Sequence, residues 1–281
     1  YLYSRVRSVP FIFHIQDLQV DVAVRLNMIS NSNLVRLLSR VETFLLTHST
    51  VVSSISEGMK HNILQKGVRE KQYFMLPNWV DLDFIRPMSM ADSLRKMLGY
   101  TDADIIVLYA GNMGEKQGVE LVIDAAEHLR EQTNIKFLLC GEGVARDRLQ
   151  QSVAGRQLEC VRFLPLQPYE QFPALLATAD LHLVVQKKAA SDVVMPSKLT
   201  SILAAGGASI VTADKNTSLA NTIIDDKLGW VIEPENAFAL ARQIQESVGG
   251  RQIKEYRVNA RRYAELFLSK DAILQTFERD R

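Results

Sequence analysis

The stretch Ser191-Asp-Val-Val-Met-Pro-Ser-Lys-Leu-Thr-Ser-Ile-Leu-Ala-Ala-Gly-Gly207 is a polar loop followed by a short helix that two glycines end. It comes directly after an apolar strand predicted at Leu181–Val185 and turns into the helix at Pro196 and Ser197. A serine in this position can cap a helix by accepting from the N–H groups of its first turn. Those N–H groups, the helix dipole and the cation of Lys198 suit a phosphate, so we predict a diphosphate site. The alternative is an ordinary strand–loop–helix joint with a solvated lysine.

The composition is that of a globular protein, with 47% hydrophobic and 23% charged residues in 281, enough for two domains. A net charge of +1 indicates no nucleic-acid partner from bulk charge alone, although local patches stay open. Cys140 and Cys160 fit neither a metal spacing nor a disulfide framework, and we interpret them as buried thiols in a reducing compartment. No apolar run reaches the roughly 18–20 residues that span a bilayer. The chain starts without Met and soon enters a strand pattern, so we expect a fragment.

The first third of the chain alternates short strands with helices. We predict a buried strand at Phe11–His14, a strand at Thr50–Ser53, and a helix that opens at Ser56 and ends at Gly67. Between the strands, Asn33–Thr47 has the spacing of an amphipathic helix. The apolar side chains that should face the core are Leu34, Leu37, Leu38, Val41, Phe44 and Leu45.

Beyond a boundary near residue 87, strands and helices alternate regularly. The predicted strands are Ile105–Tyr109, Lys136–Cys140, Val161–Leu164, Leu181–Val185, Ala208–Thr212 and Trp230–Ile232. Near-continuous apolar strands that alternate with helices indicate βαβ units and a parallel sheet. In open α/β sheets the ligand lies beyond the carboxyl ends of the strands. Three loops leave those ends here with unusual chemistry, namely Gly111–Gly118, Gly141–Gly143 and Gln186–Ser197.

Each polar residue in these loops has a binding interpretation and a simpler one. Lys116 and Gln117 stand where a phosphate or sugar would approach, or Lys116 is a solvated surface lysine. Asn112 turns its amide to the crevice or only makes a local turn. Glu142 accepts from sugar hydroxyls or faces water, and Gly143 is a ligand contact or a turn residue.

Several common catalytic patterns do not occur. The glycines around Glu142 are not a dinucleotide fingerprint, because Arg146 occupies the third glycine position. There is no Walker lysine, no nucleophile elbow and no cluster of histidines for a metal. His14 ends a predicted strand and Asp17 follows three residues later, which suits a polar group in a cleft but is a weak signal alone.

In this order, the motifs resemble the GT-B retaining glycosyltransferases of family 4, and in particular bacterial colanic-acid and O-antigen fucosyl or N-acetylfucosaminyl transferases. The matching segments cover nearly all of the chain: Phe11-Ile-Phe-His-Ile-Gln-Asp-Leu18, Ser56-Glu-Gly-Met59, Leu76-Pro-Asn-Trp-Val-Asp81, Tyr109-Ala-Gly-Asn-Met-Gly-Glu-Lys-Gln-Gly118, Leu139-Cys-Gly-Glu-Gly143, Phe163-Leu-Pro165, Ala179-Asp-Leu181, Met195-Pro-Ser-Lys-Leu199 and Ala204-Ala-Gly206.

The resemblance implies an α/β fold of two Rossmann-like domains, each a doubly wound parallel sheet, with the first domain incomplete. Residues 1–85 would form the acceptor-side domain, 86–261 the donor-side domain, and 262–281 would be helices that pack back toward the first domain. The opening strands of the first domain, with its acceptor loop, would lie outside this chain.

The same resemblance assigns the site. Catalytic roles fall to His14, Asp17 and Lys198. The donor, a GDP- or UDP-sugar, would contact Gly111, Asn112, Lys116, Gln117, Gly141, Glu142, Asp192, Pro196, Ser197 and Lys198. No metal or bound cofactor is needed, because lysines and a helix dipole replace it. The chain departs from the family where many members have glutamates, at positions near Val193 and at Ser201, and it reads Gln16-Asp17 where they have His-Asp.

The implied function is transfer of a sugar, with retention, to a growing exopolysaccharide or O-antigen unit. The acceptor would be a lipid-linked or other oligosaccharide, handled in the cytoplasm with peripheral association at the inner membrane face. Two alternatives stay open. One is a GT-B sugar-nucleotide epimerase, which needs acid and base groups in the cleft. The other is an inactive domain that binds a sugar nucleotide or a partner enzyme.

Overall fold

The structure, a computed structural model, describes residues 1–25, 29, 31–188, 196–248 and 250–279, without the side chains of residues 22 and 25. Within these ranges the chain forms two compact units. The first contains residues 1–78 and the end of the chain from residue 275, and the second contains residues 79–188 and 196–274. The predicted Asp192 and the neighbouring Val193 lie outside the described residues.

The first unit has a parallel sheet in the order β1-β2-β3, with helices on the connections. Its elements are α1 Leu2–Arg7, β1 Ile12–Ile15, α2 Gln19–Arg25, α3 Ser32–His48, β2 Val51–Ser54, α4 Glu57–Gln65 and β3 Tyr73–Met75. Ser56 caps α4 as predicted, because its hydroxyl accepts from the Met59 amide at 3.3 Å. The prediction missed helix α1.

Two burial predictions for the first unit are wrong. Strand β1 was expected to be buried, yet Ile12 is 47% exposed and only Ile15 of this strand is buried. Helix α3 forms as predicted, but Leu37 and Phe44 on its expected core face are 58% and 43% exposed. Periodicity identifies side chains that share a helix face, but it does not show whether another element covers that face.

The second unit has the parallel strands β4 Ile105–Ala110, β5 Ile135–Cys140, β6 Val161–Leu164, β7 Leu181–Val184, β8 Ser209–Thr212 and β9 Gly229–Ile232. In the described ranges they pair in the order β6-β5-β4-β7-β8-β9. The strands β7 and β8 are buried along their whole length, which is why their sequences do not alternate between buried and exposed positions. Their polar members, His182, Ser209 and Thr212, are buried as well. The chain runs outward from β4 to one edge and then returns to β7 beside it, so the sheet has its topological switch point between β4 and β7.

Helices pack on the faces of this sheet, as the alternating pattern predicts. The helices that follow β3 in the chain are α5 Arg95–Leu98, α6 Glu120–His128, α7 Arg146–Gly155, α8 Phe172–Ala177, α9 Lys198–Ala204, α10 Ser218–Asp225, α11 Ala237–Ser247, α12 Arg251–Phe267 and α13 Lys270–Arg279. The last turns of α13 belong to the first unit, where Phe277 packs edge-on against Phe74 at 5.4 Å between ring centroids. In the second unit, Tyr109 and Phe137 on adjacent strands are fully buried in the main core.

A buried ion pair fastens the start of this unit to its sheet. The Arg95 guanidinium is 5% exposed and pairs with the Asp180 carboxylate, which also accepts from the Ile106 amide at 2.8 Å. Arg95 donates further to the Thr178 and Asp104 carbonyls at 3.0 Å. This network fixes the amino ends of β4 and β7 relative to each other. The carboxyl ends of the two strands, at the opposite edge of the sheet, are therefore held in register.

Candidate functional site

The candidate site lies at the switch point, where the loops that follow β4 and β5 meet the start of α9. A cavity of about 360 Å³ opens there, within the size range of small-molecule sites. Its described lining residues are Ala110, Gly111, Cys140, Leu166, Gln167, Phe172, Leu175, Ser197, Lys198 and Ser201. The three sequence-predicted members of this lining are Gly111, Ser197 and Lys198.

Lys198 is the charged group of this cavity. Its stem is partly exposed, but its Nζ atom is buried and has no hydrogen-bond partner among the described residues. The ammonium lies 3.8 Å from the centroid of the Tyr109 ring. Burial lowers the pKa of Lys198 from 10.5 to about 7. The sequence alternative of a solvated lysine is therefore wrong, and the described residues supply no counter-ion to this ammonium.

The two glycine loops are built around this lysine. A Cβ atom at Gly111 would lie 3.3 Å from Lys198 Nζ, and a Cβ atom at Gly141 would lie only 2.0 Å from the Gly111 carbonyl oxygen. Both glycines have positive φ angles, of 147° and 145°. The Met113 amide then donates to the Glu142 carbonyl at 2.8 Å. The loops after β4 and β5 therefore form one block that leaves room for the lysine head.

Buried polar atoms without partners concentrate at this end of the sheet. Within the described ranges they are Gln117 Oε1, Arg146 Nε, Gln186 Nε2, Lys198 Nζ and Ser209 Oγ. All except Ser209 belong to residues that follow a strand at its carboxyl end or begin α9. Since buried polar groups in folded proteins are nearly always paired, such a concentration is typical of a site that awaits a polar ligand.

The remaining residues predicted for the first two loops differ in burial. Gln117 is half-buried, and its side-chain oxygen reaches back over Gly114. Lys116 is half-buried, and its carbonyl accepts from the Lys187 amide at 3.0 Å. Asn112 is exposed, and its carbonyl accepts from the Tyr109 hydroxyl at 2.5 Å. Glu142 is exposed and forms an ion pair with Arg146 at 3.3 Å. Its carboxylate therefore faces water, which is the simpler of the two interpretations of this residue.

The predicted cap at Ser197 is wrong. Ser197 has helical dihedral angles, φ −59° and ψ −28°, and its side chain makes no capping bond. A capping serine needs an extended backbone to turn its hydroxyl toward the amides of the first turn. The Leu199 amide instead donates to the Pro196 carbonyl at 3.0 Å, so a tight turn already uses part of the helix start. The positive charge of this site therefore comes from Lys198 more than from helix α9.

His14 and Asp17 lie in the first unit, at and just beyond the end of β1. His14 is half-buried, and burial lowers its pKa, so the ring is neutral near pH 7. The His14 Nδ1 atom lies 2.9 Å from Ser53 Oγ, and its Nε2 atom accepts a hydrogen bond from the side-chain amide of Gln16 at 2.8 Å. Asp17 is half-buried. The ring is thus held as a neutral imidazole in a fixed orientation.

Sequence reasoning missed most of the cavity wall. Leu166, Gln167, Phe172 and Leu175 come from the segment between β6 and the end of α8, where no unusual motif marks them. Tyr109 was missed for a different reason, since an aromatic residue near the end of a buried strand is ordinary core. Its proximity to Lys198 follows only from the pairing of β4 with β7, which brings the start of α9 over β4.

Anion binding here should be coupled to proton uptake. Lys198 with a pKa of about 7 is mostly neutral at pH 8.5, whereas a bound diphosphate needs the ammonium and raises its pKa. We therefore expect the affinity for UDP to fall by up to about tenfold per pH unit above pH 7. At pH 8.5, calorimetric enthalpies measured in buffers of different ionisation enthalpy should report about one proton taken up per UDP. Enthalpies that do not depend on the buffer would contradict this.

Over the described ranges, no group of three or more His, Cys, Asp and Glu side chains is arranged to hold a metal ion. No described helix is both long and apolar enough to cross a bilayer.

Comparison with known proteins adds sequence relatives. Residues 91–267 match the family described as glycosyl transferases group 1. The chain is 36% identical to the putative colanic acid biosynthesis glycosyl transferase WcaI of Escherichia coli (strain K12), over 99% of this chain and 69% of that protein. It is 22% identical to the probable glycosyltransferase WbjE of Pseudomonas aeruginosa, over 75% of this chain and 52% of that protein.

Solved structures share the fold at lower identity. The complex of Anabaena HepE with UDP-glucose matches with a TM-score of 0.82 and 18% identity, over 99% of this chain and 74% of that one. WaaG, a glycosyltransferase of lipopolysaccharide biosynthesis, matches with a TM-score of 0.70 and 20% identity, over 93% of this chain and 73% of that one. These likenesses confirm the predicted architecture of two Rossmann-like parallel-sheet domains.

Proposed function

We propose that this chain, which belongs to the glycosyl transferases group 1, binds the diphosphate of a nucleotide-sugar at Lys198 and transfers the sugar to a growing polysaccharide. One observation carries the donor assignment, namely a buried ammonium at the switch point of the second sheet to which no described residue gives a hydrogen-bond partner. An anion that contacts the ammonium there, away from water, is stabilised far more than at the surface. A nucleoside diphosphate is also the leaving group of the reaction.

The chemistry follows from the charge that develops in the transition state. As the bond from the sugar to the diphosphate breaks, negative charge accumulates on the leaving oxygen, and Lys198 would stabilise it without reorganisation. In this proposal the lysine takes the place of a metal ion. The loop residues Asn112, Lys116, Gln117 and Glu142 would contact the donor, and Gly111 and Gly141 would admit it to the backbone. Pro196, Ser197 and Asp192 would complete the donor side.

Finer points rest on the family resemblance and on the names of relatives. We propose a retaining hexosyl transfer of family 4 type, from a UDP- or GDP-sugar, with fucosyl or N-acetylfucosaminyl donors as candidates. His14 and Asp17 would act on the acceptor side, in a domain formed by residues 1–85, and residues 86–261 would form the donor domain. The last residues, 262–281, would pack toward the first domain. The resemblance to WcaI supports an exopolysaccharide acceptor. We propose a lipid-linked unit, handled in the cytoplasm at the inner face of the membrane.

The residues that line the pocket argue against the epimerase and in favour of the inactive domain as the alternative function. An epimerase needs acid and base side chains beside the sugar, but the described lining contains no carboxylate and no histidine. Ser201, where many family members have a glutamate, lines the pocket and favours the second candidate, an inactive domain that only binds a sugar nucleotide.

Release of nucleoside diphosphate separates these functions. We expect the protein, incubated with UDP- or GDP-sugars, to release UDP or GDP faster when a lipid extract of Escherichia coli membranes is added as a source of acceptor. The measurement is a coupled assay for nucleoside diphosphate, with product sugars analysed in parallel. Lys198→Met in the same preparation controls for contaminating enzymes. Conversion of the sugar without release would indicate the epimerase, and binding without either change would indicate the inactive domain.

A further inference from the structure

Tyr109 lies directly beneath the lysine of the candidate site. It is the residue before the last of β4 and is fully buried. The Lys198 Nζ atom lies 3.8 Å from its ring centroid, well inside the roughly 6 Å reach of a cation–π contact. Its hydroxyl donates to the Asn112 carbonyl at 2.5 Å. One side chain therefore contacts both the lysine and the first glycine loop.

The Tyr109 ring partly compensates a charge that has no hydrogen-bond partner among the described residues. No described residue accepts a hydrogen bond from Lys198 Nζ, and the atom is closed off from water. A buried ammonium without compensation is strongly unfavourable, and it either loses its proton or leaves the site. The negative face of an aromatic ring is a favourable surface for such a charge, and desolvation strengthens the contact.

The hydroxyl performs a separate task. The Gly111 amide is fixed by the Cys140 carbonyl at 2.9 Å, and the next carbonyl, at Asn112, is fixed by Tyr109. The absent side chain of Gly111 makes the space in which the Lys198 head lies. The hydroxyl thus holds the turn that gives the lysine its room.

We propose that Tyr109 is a positioning residue of the donor site, whose ring holds the Lys198 ammonium at the pocket before the diphosphate arrives and whose hydroxyl fixes the loop beside it. The proposal rests on the proposed function in one respect, that the arriving anion is a nucleoside diphosphate. The two tasks are separable by substitution. Tyr109→Phe keeps the ring and removes the hydroxyl, whereas Tyr109→Leu and Tyr109→Met remove both.

The test measures the protonation of Lys198 in the ligand-free chain. The ¹³Cε resonance of Lys198, assigned by its absence in Lys198→Met, is titrated from pH 5.5 to 9.5. We expect its midpoint to fall by about one pH unit in Tyr109→Leu, a tenfold change in the protonation equilibrium, and to stay close to the wild-type value in Tyr109→Phe. Phe137→Leu removes a fully buried ring from the same core away from the lysine and should leave the midpoint unchanged.

Other titratable groups around the lysine do not obscure this readout. On β4 the Tyr109 phenol, and at the end of β5 the Cys140 thiol, have pKa values that burial raises, so both are mostly neutral below pH 9, which covers the expected midpoints. The loop after β5 contributes the Glu142–Arg146 ion pair. The lining residues between β6 and the end of α8 are Leu166, Gln167, Phe172 and Leu175, which do not titrate.

Nucleotide titrations complete the test. At pH 8 we expect UDP affinity about tenfold weaker in Tyr109→Leu than in wild type, and only severalfold weaker in Tyr109→Phe. An unchanged Lys198 midpoint in Tyr109→Leu would reduce the ring to core packing and overturn the proposal. If thermal denaturation shows that Tyr109→Leu does not fold, the same measurement is made on Tyr109→Met. If wild type binds neither UDP nor GDP, the proposed function fails, while the resonance still decides whether the ring holds the ammonium.

Discussion

Lys198→Met should weaken the binding of UDP or GDP by about 10- to 150-fold, which corresponds to the ~1.5–3 kcal/mol of a hydrogen bond to a charged group. The substituted side chain stays unbranched and is only one atom shorter, but it carries no charge. The pocket then offers the diphosphate no ammonium, and the other cavity residues are uncharged in the described part of the lining. Isothermal titration at pH 6.5, where wild-type Lys198 is mostly protonated, measures the loss.

The same substitution should make the ligand-free chain harder to unfold. Lowering the pKa of Lys198 from 10.5 to about 7 corresponds to as much as about 5 kcal/mol, at about 1.4 kcal/mol per pH unit. This is the unfavourable free energy of holding the charged lysine in the folded state. Allowing for relaxation, we expect Lys198→Met to raise the free energy of unfolding by about 1–3 kcal/mol.

The pH dependence of that gain has a definite sign. Below pH 7 the lysine is protonated in both the folded and the unfolded chain, so the full penalty is present and the methionine variant gains most. Between pH 7 and 10.5 the unfolded chain binds more protons, so wild-type stability rises and the difference shrinks. Denaturant titrations at pH 6.5 and 9.5 measure both ends of this range.

A matched control removes charge without touching the site. Lys254 is exposed on α12, and Lys254→Met changes the net charge by the same amount. It should leave nucleotide affinity and stability within about 0.5 kcal/mol of wild type. If Lys198→Met bound UDP as tightly as wild type, Lys198 would be excluded from the donor site. A variant that lost stability would show that the contacts of Lys198 in the folded chain outweigh the cost of burying its charge.

The second unit could be predicted closely from sequence for a simple physical reason. Strands such as β4 and β5 are covered on both faces, so their sequences are mostly apolar and each strand can be recognised without its neighbours. The glycine loops could also be located, because backbone conformations with positive φ at Gly111 and Gly141 favour glycine. Because β4 and β5 are neighbours in the sheet, the loops that follow them lie side by side.

The sequence could not reveal contacts that depend on the tertiary arrangement. The spacing in α3 predicts one apolar face, yet Leu37 and Phe44 on that face stay exposed, although the Tyr1 ring packs edge-on against Phe44. Ser197 is a good capping residue by type, but its local backbone is helical and turns the hydroxyl away. Lys198 reads as a surface lysine until β4 is placed beside β7. Only then does the Tyr109 ring meet the ammonium.

Gly141→Ala should destabilise the second unit by about 3 kcal/mol or more and remove nucleotide binding with it. An alanine Cβ atom at this position would lie 2.0 Å from the Gly111 carbonyl oxygen, a backbone atom that no side-chain rotation can move. The φ angle of 145° adds strain of its own for any residue with a Cβ atom. Relief requires the loop after β4 to move away from the end of β5.

That movement reaches the donor site by a short route. The Gly111 amide would lose the Cys140 carbonyl, now at 2.9 Å, and the displaced loop would close the space occupied by the Lys198 head. Lower thermal stability and the loss of UDP affinity should therefore appear together. Gly155→Ala is the matched control, because a Cβ atom there meets nothing within 4 Å at the end of α7. It should be neutral or stabilise by up to about 1 kcal/mol. If Gly141→Ala kept the stability and the UDP affinity of the wild type, the close approach of the two loops would be contradicted.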